Sequence, residues 1–250
     1  MDKKLIINDP LISLKKFTPA RIAIGRTGVS IPLKQSFEFK LAHAHARDAV
    51  YSELNVDRLM NMLKVFNLPI LYLHSKAATR QKYLKRPDLG RQLEEASADI
   101  LNNQITGADI IIIVADGLSA TAVNENAFGL LKLLIPMFAS SKLKLAQLCL
   151  VGQGRVAIGD EIANRLNAKL SIVLIGERPG LSAADSMGMY LTYNPRPGLT
   201  DEARNCVSNI RAEGLSHHLA AKKIFYLVSE ALKRKLSGIE LKDNARLPNH

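Results

Sequence analysis

The feature that most constrains the fold is the apolar run IIIIVA at residues 110–115, which has no polar residue on either face. Such a strand is typical of the middle of a parallel sheet, because helices cover both faces of these sheets. The segments that follow alternate in character: 119–141 predicts a crossover helix, 144–154 a second strand, 157–168 a second helix and 169–180 a third strand. This β-α-β-α-β order predicts an α/β fold with parallel strands and right-handed connections.

The chain before this unit is less regular. Residues 1–17 show no motif and predict a loosely ordered arm, whereas residues 35–66 are rich in Ala and Leu and predict a helix. Residues 68–75 form a short apolar run of strand length. Residues 76–103 are helical in composition, and Pro87 must interrupt that helix.

Two further helices are predicted after the third strand. Thr200 stands where an N-cap is expected, and the acidic residues Asp201 and Glu202 suit a first helical turn, so we expect a helix over 201–211. The last helix should run from Ser216 to Gly238. Its apolar residues fall on one stripe: Ala220, Ile224, Leu227, Val228 and Ala231.

Composition limits the classes of function. The net charge of +11 suggests nucleic acid or an acidic partner subunit, but the basic residues are scattered and tryptophan is absent, so a solvated basic surface is the simpler interpretation. No apolar run reaches the roughly 20 residues that a membrane span needs. The two cysteines, Cys149 and Cys206, form no CxxC pair, which suits a reducing compartment. We expect neither a nucleic-acid partner nor a membrane partner.

Glycine-containing loops follow all three strands of the unit: Asp116–Gly117, Gly152–Arg155 and Glu177–Gly180. In open parallel sheets, ligands bind at the carboxyl ends of the strands, where such loops converge. Glycine there allows backbone to approach a ligand closely. The pattern therefore predicts a large ligand across this edge of the sheet.

The residues alone leave the ligand open. Gly152, Gly154 and Gly159 give GxGxxxxG, a weak form of the dinucleotide fingerprint, with Glu177 at about the distance expected of a ribose-binding acid. An NAD-dependent oxidoreductase is thus the alternative function. Asp116 suits a catalytic acid, although a carboxylate after a strand more often caps the next helix. Cys206 suits a buried filler better than a nucleophile.

The histidines do not suggest a metal site. His43 and His45 are two positions apart on a predicted helix, so they face different ways. His217 and His218 are adjacent at a helix start, where a surface position is more common than a ligand role. We therefore assign no metal ligand.

Several stretches in order along the chain resemble the small-subunit family of ethanolamine ammonia-lyase. They are TPARIAIGR, LAHAHARDAV, RPDLGR, ADGLSATAV, QGRVAIGDEI, LIGERPGLSAADSMGMYLT and RNCVSNIR. The resemblance extends from about Thr18 to Lys242, and its most specific part is the tract 174–211. It implies a Rossmann-like domain at 66–250, preceded at 1–65 by an arm and helical extension that makes subunit contacts.

The family is an adenosylcobalamin-dependent lyase that converts ethanolamine to acetaldehyde and ammonia. The resemblance implies that a separate large subunit carries the substrate pocket, while this chain helps to hold the corrinoid at the interface. The implied cobalamin-binding residues are Val156, Glu177 and Cys206. The family is also associated with bacterial microcompartments, so a location in the cytoplasm or inside such a shell is expected, with the role of the arm 1–17 left open.

The physical chemistry of these residues suits a corrin. Val156 offers apolar contact, and an ionised Glu177 accepts amide N–H groups, although a salt bridge with Arg178 is an alternative use of that carboxylate. Cys206 is expected near a helix N-terminus, with its free amide donors. The sequence contains no DxHxxG motif, since none of its histidines, His250 included, stands in one. We therefore expect the dimethylbenzimidazole of the cofactor to remain on cobalt.

Overall fold

A computed structural model describes residues 6–18, 20–104 and 106–244 of the chain. Six strands form one sheet in the order β1-β3-β2-β4-β5-β6. They are β1 (Ile70–His74), β2 (Ile110–Ala115), β3 (Leu145–Gly152), β4 (Leu170–Gly176), β5 (Met187–Tyr193) and β6 (Arg204–Ile210). The first four strands are parallel, whereas β5 and β6 are antiparallel to their neighbours.

The helices lie on both faces of this sheet. They are α1 (Leu33–Tyr51), α2 (Val56–Leu63), α3 (Arg80–Lys85), α4 (Glu95–Asn102), α5 (Ala120–Ser140), α6 (Ile158–Arg165) and α7 (His217–Arg234). Within the described ranges, no helix combines the length and the apolar character that a membrane crossing requires.

The centre of the sheet is the predicted apolar run. All six residues of β2 are buried, and the strand pairs with β3 on one side and β4 on the other. Alternate residues point to opposite faces: Ile112 packs in a core beneath α5 and α7, whereas Ile113 packs in a second core with α6. The predicted β-α-β-α-β unit and the α/β fold class are both confirmed.

The helix predicted at 35–66 forms as two helices. α1 ends before Ser52, and α2 begins after Asn55, whose side chain accepts a hydrogen bond from the backbone N–H of Arg58 at 3.1 Å. Leu59 and Leu63 of α2 lie in the core beneath α5. The division of the chain into 1–65 and 66–250 stays a prediction.

The last helix is confirmed in both its start and its buried face. Ser216 is its N-cap, with the hydroxyl accepting from the backbone N–H of Leu219 at 3.4 Å. The predicted apolar stripe is buried as expected: Ala220, Ile224, Leu227, Val228 and Ala231.

The helix predicted at 201–211 is wrong. Only Asp201–Ala203 form a single 3-10 turn after Thr200, and the chain then enters strand β6. β6 pairs with β5, a strand that the sequence patterns did not predict, and β5 in turn pairs with β4. The parallel sheet is therefore extended by two antiparallel strands, which form one wall of the site described below.

Candidate functional site

A cavity of about 1380 Å³ opens at the carboxyl ends of β3 and β4. Its walls come from the β3–α6 segment 155–165, the end of β4 at 175–178 and the β5–β6 connection at 197–201. Helix α3 adds Tyr83. This is the edge at which the glycine loops predicted a ligand.

Among the described residues, none covers one face of the antiparallel strands β5 and β6 beside this cavity. Helix α7 covers the side of β5 and β6 on which Met189 and Leu191 are buried. On the opposite side, Tyr190 of β5 is half-buried and its cross-strand neighbour Cys206 of β6 is exposed. A broad ligand can therefore extend from the cavity over these two strands.

Glu177 follows directly after β4 and is held at the cavity wall. The hydroxyl of Ser186 donates to its Oε2 at 2.5 Å, and the backbone N–H of Asn209 donates to the same atom at 3.3 Å. Among the described residues, Oε1 accepts no hydrogen bond and the carboxylate forms no ion pair, so the alternative salt bridge with Arg178 is absent. One carboxylate oxygen is thus fixed and the other is available to a ligand.

Gly188 makes the space for this carboxylate. A Cβ at position 188 would lie 2.9 Å from Oε1 and 3.2 Å from Cγ of Glu177. Any larger residue would therefore displace the Glu177 side chain. Gly188 was not among the residues selected from the sequence, because its role depends on the register between β4 and β5.

Val156 lines the same cavity as Glu177. It lies in the turn that leads into α6, half-buried, and packs against the core on the α6 side of the sheet. The structure therefore brings together two of the three residues predicted from the resemblance.

Cys206 lies beside this pair in a different setting from the one expected. It is in the middle of strand β6 rather than near a helix N-terminus, so it has no first-turn amide donors beside it. Its thiol shares a hydrogen bond with Tyr190, which lines the cavity. Desolvation raises the pKa of Cys206 although the Tyr190 hydrogen bond opposes the shift, so the thiol form is favoured and a contact role suits it better than nucleophilic chemistry.

The position of Asp116 suggested that it caps the following helix, but it does not have that role. Ser119 is the N-cap of α5 and accepts from the backbone N–H of Ala122 at 3.3 Å. The carboxylate of Asp116 instead accepts from the backbone N–H groups of Gln153 at 2.9 Å and Gly154 at 3.0 Å. Burial raises the pKa of Asp116, and these two backbone donors oppose the shift. Asp116 thus fixes the loop that carries Val156 and does not line the cavity.

Beside Gly152 and Gly176 the protein itself fills the space in which a ligand was expected to approach the backbone, whereas a Cβ on Gly180 would meet nothing closer than 3.9 Å. A Cβ on Gly176 would lie 2.0 Å from the carbonyl oxygen of Ser119, and one on Gly152 would lie 2.7 Å from the His74 ring. These glycines allow neighbouring loops to approach each other closely.

A cluster of one tyrosine and two arginines supports the cavity from the side of α3. The guanidinium carbons of Arg80 and Arg155 lie 4.7 Å and 4.4 Å from the Tyr83 ring centroid. Arg80 also donates to the carbonyl oxygens of Val50 at 2.6 Å and Gly117 at 2.8 Å. Sequence reasoning missed this cluster; the only signal was the arginine that ends the glycine loop 152–155.

A buried ion pair closes the far side of the cavity. Arg204 of β6 donates from Nη1 and Nη2 to the two carboxylate oxygens of Asp160 of α6, each at 2.8 Å. It also donates to the carbonyl oxygen of Leu199 at 3.0 Å and to Thr192 Oγ1 at 3.2 Å. The pair fastens the β5–β6 connection to α6. It was missed because β6 was predicted as a helix.

The described histidines lie apart from the cavity. His43 and His45 are exposed on α1, and His217 Nε2 lies 2.9 Å from Asn126 Oδ1. Within the described part of the chain, no group of at least three His, Cys, Asp or Glu side chains is arranged to hold a metal ion.

The first turn of α6 bears on the NAD alternative. The backbone N–H groups of Ile158, Gly159 and Asp160 donate to the carbonyl oxygens of Arg155, Val156 and Ala157 at 2.9, 3.1 and 3.2 Å. A dinucleotide site needs such N–H groups free for the pyrophosphate. These three N–H groups are therefore not available to a pyrophosphate.

Comparison with known proteins gives consistent matches over nearly the whole chain. Residues 8–242 match the family model described as "Ethanolamine ammonia-lyase light chain (EutC)". The ethanolamine ammonia-lyase small subunit of Pseudomonas fluorescens (strain Pf0-1) is 49% identical over 243 residues, which cover 96% of this chain and 89% of the relative.

Two other relatives with the same description are similar to a comparable degree. That of Xanthomonas campestris pv. campestris (strain ATCC 33913) is 50% identical over 244 residues, covering 96% of this chain and 90% of the relative. That of Ralstonia nicotianae (strain ATCC BAA-1114 / GMI1000) is 47% identical over 247 residues, covering 97% and 92%.

Proposed function

This chain belongs to the ethanolamine ammonia-lyase light-chain family, as the small subunit of that carbon–nitrogen lyase, and from that premise we propose that it holds adenosylcobalamin at the interface with the large subunit. The description of the relatives as small subunits implies a large-subunit partner. We assign the pocket for ethanolamine mainly to that partner, and part of the binding site for the corrinoid to this chain.

The observation that carries the proposal is the common cavity of Val156 and Glu177, with Cys206 on the open strand face beside it. Its volume of about 1380 Å³ exceeds the roughly 300–1,000 Å³ typical of pockets for small ligands. A corrin is a broad disc with apolar faces and a fringe of amide side chains. The cavity and the adjoining open face suit a ligand of that size.

The residues at the cavity also fit the chemistry of a corrin. The Oε1 atom of Glu177 accepts no hydrogen bond from the described residues, so it is available to an amide N–H of the corrin fringe. Val156 supplies apolar surface, and Cys206 adds a small uncharged contact.

When bound, the cofactor supplies a carbon-centred radical that removes hydrogen from the substrate. The residues of this chain position the corrinoid and exclude water from one of its sides, and none acts as a catalytic acid or base. No described histidine lines the cavity, so the described residues of this chain would offer the cofactor no imidazole ligand there. Electron paramagnetic resonance of the cob(II) state tests this, because coupling to a protein nitrogen would contradict it.

The location we propose is the cytoplasm or the inside of a bacterial microcompartment, because the family is associated with such shells. Fractionation of cells grown on ethanolamine checks this part of the proposal. Recovery of the chain in a membrane or periplasmic fraction would contradict it.

Glu177→Gln tests the cofactor role directly. The change keeps the shape of the side chain but removes the charge and replaces one acceptor oxygen with an amino group, so it should weaken a charge-assisted hydrogen bond to the corrin by about 1.5–3 kcal/mol. That corresponds to a rise of roughly 10- to 150-fold in the Kd of cobalamin for the complex with the large subunit.

Glu125→Gln is the matched control. Glu125 is exposed on α5 and does not line the cavity, and the substitution makes the same change in charge. The control should bind cobalamin like the unaltered complex. Equal cobalamin affinities for the two variants would contradict the role of Glu177. Failure of the unaltered complex to bind cobalamin would contradict the proposed function itself.

A further inference from the structure

The cavity contains more positive charge than its own carboxylates neutralise. Five arginines line it: Arg91, Arg155, Arg165, Arg178 and Arg204. Arg204 is paired with Asp160, and Arg165 lies 3.2 Å from Glu161. Among the described residues, the other three form no ion pair, which predicts an anionic group in the ligand.

Arg155 is the unpaired arginine that the protein holds most firmly. Its backbone N–H donates to the carbonyl oxygen of Gly90 at 2.8 Å, and its Nη2 donates to the carbonyl oxygen of Tyr83 at 3.1 Å. The guanidinium carbon lies 4.4 Å from the centroid of the Tyr83 ring. Gly90 leaves room for the stem of the side chain, since a Cβ there would lie 2.9 Å from Arg155 Cγ.

The remaining donors of this guanidinium have no acceptor. Arg155 Nε is buried without a hydrogen-bond partner, and Nη1 donates to no other described residue. The protein encloses Nε, whereas Nη1 is not among the buried atoms without a partner, so Nη1 is the donor that a ligand in the cavity can reach. Arg91 and Arg178, by contrast, are exposed and lack such fixed surroundings.

We propose that Arg155 binds the phosphodiester group of the nucleotide tail of bound cobalamin. This inference rests on the function proposed above. The amide fringe of the corrin is neutral, so the phosphodiester is the group of the cofactor that an unpaired arginine recognises. Arginine presents adjacent N–H donors that match two phosphate oxygens at once.

The assignment separates two kinds of recognition within one cavity. Glu177 offers an acceptor to amide N–H groups, whereas Arg155 offers donors to an anion. Val156, which directly follows Arg155 in the chain, contacts the ligand through apolar surface. Arg155 thereby distinguishes a complete cobalamin from a corrinoid that lacks the nucleotide tail.

The test compares two corrinoids on the complex with the large subunit: cyanocobalamin, and dicyanocobinamide, which has the corrin but no nucleotide tail. Arg155→Met removes the charge while keeping an unbranched side chain over Tyr83. We expect the Kd of cobalamin to rise about 10- to 100-fold and that of cobinamide to change by less than about twofold. Arg58→Met is the control, because Arg58 is an exposed helix residue outside the cavity.

Arg155→Lys provides a second variant that keeps the charge but loses the fork of donors. It should weaken cobalamin binding less than Arg155→Met and leave cobinamide binding unchanged. If both variants weaken the two corrinoids equally, or weaken neither, the phosphodiester assignment is overturned. If the unaltered complex binds neither corrinoid, the proposed function fails instead.

If Arg155→Met does not assemble with the large subunit, Arg155→Lys and the unaltered complex still decide the question. Screening weakens a contact between a cation and a phosphodiester. Higher salt should therefore weaken binding of cobalamin more than binding of cobinamide in the unaltered complex. An equal effect of salt on the two corrinoids would contradict the assignment.

Discussion

Arg204→Met should destabilise the chain strongly, because it leaves a buried carboxylate without its partner. The side chains of Arg204 and Asp160 are only 2% and 3% exposed and are joined by two hydrogen bonds of 2.8 Å. Removing one member of such a pair costs about 3–5 kcal/mol. This is a large part of the roughly 5–15 kcal/mol that typically separates folded from unfolded domains.

A double variant separates the free-energy cost of the unpaired buried charge from the cost of the lost contacts. In Asp160→Asn/Arg204→Met the carboxylate charge is gone, and the remaining penalty is that of incompletely satisfied polar groups, about 1–3 kcal/mol. The double variant should therefore be more stable than Arg204→Met alone. Urea unfolding followed by far-ultraviolet circular dichroism measures both free energies.

The penalty of Arg204→Met should also depend on pH. Burial raises the pKa of Asp160, and the variant removes the Arg204 hydrogen bond and charge that oppose this shift. A carboxyl with a raised folded-state pKa contributes stability that is present below its unfolded pKa of about 3.9 and is lost as pH rises through its folded pKa. The variant should therefore lose more stability, relative to the unaltered chain, at about pH 8 than at about pH 5.

Two results would refute this reasoning about the ion pair. One is an Arg204→Met variant whose free energy of unfolding lies within about 1 kcal/mol of the unaltered chain, far below the cost expected of an unpaired buried charge. The other is a double variant that is less stable than Arg204→Met.

Gly188→Ala should displace the Glu177 carboxylate, because the new Cβ would lie 2.9 Å from Oε1; we expect cobalamin affinity to fall about tenfold, or roughly 1.4 kcal/mol. Since the displaced atom is the end of a flexible side chain, the unfolding free energy should change little, and unchanged cobalamin binding would contradict the role of Gly188. Burial lowers the pKa of His217 in the folded chain. The unfolded chain therefore takes up a proton on this histidine first, and the free energy of unfolding should fall as pH falls through the unfolded-state pKa of about 6.5. His217→Gln should therefore lose less stability between about pH 7 and pH 5 in urea titrations, and an equal loss would show that His217 does not contribute.

The parts of the fold that the sequence predicted are those with a local pattern. β2 is apolar throughout, and α7 carries both its Ser216 cap and its buried stripe within one short segment. Strand β6 was misread because its local signal is real but short: Asp201–Ala203 do form a helical turn after Thr200. What ends that turn is not local, since Arg204 pairs with Asp160, 44 positions earlier.

The candidate site shows the same limit. Val156 and Glu177 follow the parallel strands β3 and β4, which flank β2, so their position at the same edge of the sheet was predictable from the topology. The support of Arg155 by Tyr83 joins residues 72 positions apart. The position of Cys206 beside Tyr190 depends on the two antiparallel strands that were not predicted. Contacts of this kind require the three-dimensional register, which apolar periodicity does not contain.

The central claim is that one side of a cobalamin rests on the cavity edge of this chain. Determining the structure of its complex with the large subunit and bound cobalamin tests this most directly. The claim predicts Val156, Glu177 and Cys206 within about 4.5 Å of the cofactor, the usual limit of side-chain contact. A cobalamin enclosed by the large subunit alone, or bound at another surface of this chain, would contradict it.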